Sequence, residues 1–189
     1  MSSPTTFQRF AIIGGLILLA ALSRLLPHPP NFTPLAAMAL FGAAYLQRSW
    51  LVWLLPFVAF YLSDLVLNNW VYAAEGAAWN WSVNWGVYAA FALIILLGIW
   101  QLRKRNWTSA GLALTGLAGT LLFYAITNFL SWYVDPFQMY PNGIEGLWMS
   151  LAAGLPFLAN SLMGTAFFGA ILFGSAAALQ VPRVAPQAA

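Results

Sequence analysis

Asp64, in Ser63-Asp64-Leu65, is the one carboxylate that falls inside an apolar run of this chain. At the centre of a bilayer a carboxylate costs about 2.5–3.5 kcal/mol on insertion scales, and less near a helix end where water is close. Two readings follow: a ligand or proton site, or a structural ion pair with Arg24. The pair has the edge, because an intramembrane charge ordinarily has a partner. Asn128, beside Thr127 and one turn after Tyr124, and Asn160, beside Ser161, are amides in otherwise apolar runs. Interhelical hydrogen bonding explains such residues first, yet both sit in helices flanking one long loop and could line a pocket beneath it. His28 is the sole histidine, and there is no cysteine. A metal site therefore lacks ligands in sequence, and no resident cofactor is expected.

Catalysis finds little support. The chain has no HExxH, Walker loop or GxSxG, and no Ser/His/Asp set that its helices would plainly unite. One intramembrane carboxylate is too few for an ordinary proton pump. We therefore expect a protein that is not an enzyme. An intramembrane lipid enzyme, which would have to use Asp64 and His28, ranks last.

The elements that must hold these residues are membrane helices. Apolar residues make up 62% of the 189 positions and charged residues 6%, and the mean hydropathy is +0.78, whereas a soluble domain is about a quarter charged. Six apolar runs stand out, at 8–26, 33–47, 50–67, 85–102, 109–132 and 149–178. The expected fold is an all-α integral membrane bundle of six transmembrane helices, one domain over 1–180, with a disordered cytoplasmic tail over 181–189. The second run is short: fifteen residues reach only about 23 Å. Arg9 before the run 11–22 could pass for a signal peptide, but more membrane follows, so an uncleaved first span is the better reading.

Threaded alternately, the runs put Arg9, Arg48, Arg103, Lys104, Arg105 and Arg183 on one side and Arg24 alone on the other. The positive-inside rule then places both termini in the cytoplasm, for a multi-pass protein of the inner (plasma) membrane. Seven scattered basic residues cannot neutralise a row of phosphates, so nucleic acid is excluded as a partner. The connections on the outer side, 68–84 and 133–148, are long and aromatic. Six of the ten tryptophans lie on that side, interleaved with amides and carboxylates. An interfacial belt and a binding cap for a flat, partly polar solute are both open readings. Ala36, Ala39 and Ala43 mark a small-residue face on the second run, suited to helix packing within the chain or to a partner. Gly111, Thr115 and Gly119, and Ala170 and Gly174, continue that pattern. No internal repeat is evident.

The stretch from Arg24 to Gly42, containing Pro27-His28-Pro29-Pro30-Asn31-Phe32-Thr33-Pro34, together with Ser63-Asp64-Leu65, Thr127-Asn128-Phe129, Tyr140-Pro141, Gly146-Leu147 and Pro156-Phe157-Leu158-Ala159-Asn160, resembles a family of six-span bacterial membrane proteins of unassigned function. More distantly, the six spans, the small-residue-rich second helix after an NFTP-type turn and the elaborated outer loops resemble the substrate-binding S components of energy-coupling-factor (ECF) vitamin transporters. That resemblance implies an uptake protein that binds a vitamin-like micronutrient from the outside, working with an ATP-driven ECF module or, as proposed for solitary cobalamin binders, alone. The candidate substrate-binding residues are His28, Asn31, Phe32, Asp64, Asn68, Trp70, Tyr72, Trp81, Trp85, Tyr124, Asn128, Trp132, Tyr140 and Asn160. Two departures stand out: there is no cysteine to ligate the cobalt of cobalamin, leaving His28 or no protein ligand, and the aspartate usual after the last-span glycine is Thr165, after Gly164. The rival reading is a structural or accessory subunit of a membrane complex, without a small-molecule site.

Overall fold

The second apolar run becomes the centre of the protein. In a computed structural model that describes residues 5–103, 107–135 and 137–184, six α-helices form and no strand is present among the described residues. They are α1 (Thr6–Leu22), α2 (Leu35–Tyr45), α3 (Ser49–Val66), α4 (Trp85–Gly98), α5 (Ser109–Val134) and α6 (Ile144–Ala178). A 3₁₀ turn, Ser23–Leu25, extends α1, and π-helical turns, Leu67–Val71 and Ile99–Arg103, extend α3 and α4. Three of the helix starts, those of α1, α4 and α5, carry side-chain caps. Thr5 and Gln8 form a reciprocal capping box on α1, while the side chains of Asn84 and Thr108 accept the Val87 and Gly111 N–H groups.

Helices α1, α3, α4, α5 and α6 close a ring around α2, which touches all five. Every residue of α2 is buried. A helix apolar all round can only be stable where apolar neighbours surround it, and Leu35–Tyr45 has no polar stripe to turn toward water. All six expected apolar runs form helices, and five of them have the length of a membrane crossing. Five helical segments, Thr6–Leu25, Ser49–Val71, Trp85–Arg103, Ser109–Val134 and Ile144–Ala178, are long and apolar enough to cross a membrane, whereas the eleven residues of α2 are not; they rise only about 17 Å.

A helix that ends short of the bundle's end leaves carbonyls stranded in an apolar interior, each needing a donor. Arg9 of α1 donates to Tyr45 O at 3.1 Å. Arg103, carried inward by the π turn after α4, donates to Ala43 O at 2.8 Å and also to Leu46 O. The Val184 N–H donates to Ala44 O at 2.9 Å. The positive guanidiniums also oppose the negative end of the α2 dipole. Thus the chain past residue 180, expected to be an uninformative tail, is part of the packing as far as residue 184: Val181 is buried, and Arg183 lies 3.7 Å over the Trp107 ring. Residues 185–189 of that tail, like Lys104 and Arg105 of the basic run, lie outside the described residues. Ala36, Ala39 and Ala43 are covered by the chain's own helices, so the packing they permit is intramolecular and they offer no face to a partner.

Candidate functional site

Because α2 stops short at its beginning as well, the ring of helices is left unfilled above it. The space is a cavity of about 530 Å³, walled by the start of α2, the end of α3 and its π turn, α4 at Val87 and Ile94, and the facing stretches of α5 and α6. It reaches from Tyr72, Asn84 and Tyr140 at the loop end down to Ile94, Thr120 and Thr165. Such a volume is in the range of pockets that enclose small molecules.

One wall carries the charged pair. Arg24, on the 3₁₀ turn, donates to Asp64 Oδ1 at 2.7 Å, to Ser63 Oγ, and to Phe60 O at 3.4 Å. Its guanidinium carbon stands 4.3 Å over the Phe60 ring. Tyr88 donates to the other carboxylate oxygen at 2.9 Å. The structural pairing expected for Asp64 is present, and the pair also borders the cavity.

The opposite wall is a stripe of hydroxyls and amides. Thr120, Tyr124, Thr127, Asn128 and Ser131 recur at helical spacing along α5, facing Gly154, Leu158, Ser161 and Thr165 along α6. Thr127 donates to Phe123 O at 2.8 Å, Thr120 to Gly116 O at 2.9 Å, and Tyr124 to Leu151 O. Thr120 and Thr165 oxygens are 2.9 Å apart. Asn128 donates to Tyr124 O at 2.8 Å, and its amide lies against Gly154, where a Cβ would collide with it. Gly164 admits another close approach, the backbone of Thr33 crossing it where a Cβ would stand 2.8 Å from Thr33 N.

Loops are pinned over the opening by their own polar groups. Asn69 accepts the Asn80 N–H at 2.6 Å and donates back to Asn80 O at 2.9 Å, closing the 69–80 loop. Asp135 accepts the Met139 and Tyr140 N–H groups at 2.9 and 2.7 Å, which holds Tyr140 at the rim. The π turn after α3 places Asn68 and the following Tyr72 on the cavity wall; such turns often mark functional places in helices.

Of the fourteen residues expected from sequence, the cavity gathers seven: Asn31, Asp64, Asn68, Tyr72, Tyr124, Asn128 and Tyr140. The others lie elsewhere. Phe32 packs on Phe167 and Phe168, with centroids 5.6 and 5.7 Å away. Asn160 donates to Pro30 O at 2.8 Å and so staples the proline-rich loop to α6. His28 Nδ1 is 2.7 Å from Leu26 O. Trp70 and Trp81 flank Trp79 in an exposed cluster, Trp85 is exposed at the start of α4, and Trp132 donates to Pro141 O at 3.2 Å. Sequence reasoning passed over Arg24, Thr33, Asn84, Thr120, Thr127, Ser131, Ser161 and Thr165 as wall residues. For those on α5 and α6 the signal was a polar spacing of three, four and seven within apolar helices; Arg24, Thr33 and Asn84, outside the α-helices, carried no such signal.

No group of three or more metal-binding side chains occurs among the described residues. Beside the large cavity, a second, mostly apolar one of about 420 Å³ lies between α5, α6 and α2, and Thr165 borders both.

Fold and cavity define an all-helical protein of apolar helices built around a buried short one, with an internal polar-walled chamber. The chain belongs to the family of unknown function DUF6580, which matches residues 4–188. Among curated proteins and among solved structures, none matches it.

Proposed function

We propose that this is a membrane-embedded solute-binding protein for the uptake of a vitamin or related micronutrient, similar in plan to an ECF S component. The observation that carries the reading is the chamber of about 530 Å³ with hydroxyls and amides on one wall and a neutralised ion pair on the other. A bundle serving only as scaffold gains stability by filling such space, since packed interiors hold few voids larger than a water molecule. Five helices that can cross a bilayer support the membrane setting. In this reading the loop-capped opening faces outward and both chain ends face the cytoplasm, because Arg9, Arg48, Arg103 and Arg183 gather at the opposite end from Arg24. A coupling partner, such as an ATP-driven module, would supply the energy, since the sequence carries no Walker loop. Cobalamin recedes as the solute: a corrinoid is far larger than the drug-sized ligands that fill a chamber of this volume, and His28 is not on its wall.

The test is mass spectrometry of solutes that co-purify with the protein in mild detergent, followed by thermal-shift titration with vitamins. A ligand should raise the melting temperature with concentration, and Asn128→Leu should weaken that response while the ligand-free protein remains folded. If nothing co-purifies and no vitamin shifts the transition, the accessory-subunit reading takes its place.

A further inference from the structure

The hydroxyl protons of the deep wall are already committed. Thr120, Tyr124 and Thr127 each donate to a backbone carbonyl of their own or the neighbouring helix, and Ser161 donates to Asn31 O at 3.2 Å. With the Thr120 proton on Gly116 O, the 2.9 Å contact between Thr120 and Thr165 oxygens requires Thr165 to donate. Each oxygen keeps lone pairs after donating once, so this wall of the chamber offers acceptors. Asn128 spends one amide hydrogen on Tyr124 O, leaving its carbonyl oxygen and its second amide hydrogen without a partner among the described residues; with the Ser131 hydroxyl nearer the opening, that hydrogen is the wall's small donor capacity against at least six acceptor oxygens.

The wall also has no charge to spare. Arg24 and Asp64 are the chamber's only charged side chains among the described residues, and they are bound to each other at 2.7 Å. An ionic solute would enter a low-dielectric chamber with no free counter-charge, a costly arrangement. Rings of Phe60, Phe123 and Phe157 supply flat apolar surface between the polar groups.

We propose that the chamber selects an uncharged heteroaromatic solute that presents N–H groups, from an amino, amide or ring nitrogen, to the acceptor wall of α5 and α6. This inference rests on the solute-binding reading above and narrows it to a chemical class. Acceptors facing a donor-bearing ring form hydrogen bonds, whereas the same wall facing an N-methylated ring loses them and leaves the wall oxygens desolvated. Sites built to hydrogen-bond a substrate group reject analogues lacking it far more strongly than apolar pockets reject an extra methyl group.

Matched probes test it on the full chain in detergent, by thermal shift and isothermal titration: nicotinamide against nicotinate, adenine against N6,N6-dimethyladenine, and lumichrome against its N1,N3-dimethyl form. Within every pair that binds, the neutral donor-bearing member is expected to bind about tenfold or more tightly, the cost of one or two lost hydrogen bonds. Thr127→Val and Thr165→Val, nearly isosteric, should narrow that difference several-fold with the ligand-free melting temperature largely kept. If nicotinate or the methylated rings bind as tightly as their partners, or the two valine variants leave the preference unchanged, the acceptor-wall inference falls while solute binding stands. If no probe of either kind binds, this inference falls, while the solute-binding reading stands or falls with the co-purification and vitamin titrations above.

Discussion

Arg24 Nη2 and Asp64 Oδ1 meet at 2.7 Å although forty positions separate them, joining the turn after α1 to the end of α3. Both side chains are largely buried, so removing either partner leaves the other charge without compensation in an apolar bundle. Arg24→Leu and Asp64→Leu should each destabilise by roughly 3 kcal/mol. The double variant should recover a large part of that loss, because no orphaned charge remains. Unfolding in detergent, followed by tryptophan fluorescence, measures all three, and additive losses would show that the pair is not coupled.

Arg103 and Arg48 are both basic residues at the same end of the bundle, with opposite surroundings. Arg103 is buried and holds the last carbonyls of α2, while Arg48 is exposed. Arg103→Met should therefore cost about 2–3 kcal/mol through unsatisfied buried carbonyls, and Arg48→Met should stay within about 0.5 kcal/mol. Equal melting temperatures for the two variants would refute the capping role.

Much of this was readable from sequence, and the limits are physical. Hydropathy located all six helices to within a few residues except at the start of α6, which begins at Ile144 rather than 149. It could not show that the run 33–47 lies inside a ring of the others, since hydropathy scores lipid and protein surroundings alike; the short length was the clue. Charge counting grouped Arg9 and Arg103 by side, yet it says nothing of the α2 carbonyls that bind them. At the site, tryptophans drew attention because they are large, but Trp81 and Trp85 are exposed. The stripe of Thr120, Thr127 and Ser131 was overlooked because single hydroxyls in apolar helices are usually explained by bonds to their own backbone. Thr120 and Thr127 make those bonds, and their oxygens line the chamber as well, as does Ser131.

Gly154 and Asn128 form a tight pair across α5 and α6, the amide resting where a larger residue's Cβ would stand. Gly154→Ala should force the amide off Tyr124 O and destabilise by about 1–3 kcal/mol, as overpacking does. Asn128→Ala should relieve most of that penalty in the double variant. A double-mutant cycle on melting free energies reads the coupling, and a coupling near zero would mean the helices simply move apart.

Orientation in the membrane can be tested cleanly because the chain has no cysteine. Single cysteines at Ala78 and Asn142, exposed in the loops over the chamber, and at Gln47 and Gln180, exposed at the other end, report the two sides separately. With the chamber outward, a membrane-impermeant maleimide added to intact cells should label positions 78 and 142 and spare 47 and 180, and inverted vesicles should give the reverse. The direction matters for function: a chamber roofed by the 69–80 and 137–141 loops can capture a scarce external solute only if those loops face it. Labelling of 47 and 180 in intact cells, with 78 and 142 protected, would turn the chamber to the cytoplasm and remove uptake from the outside as its role.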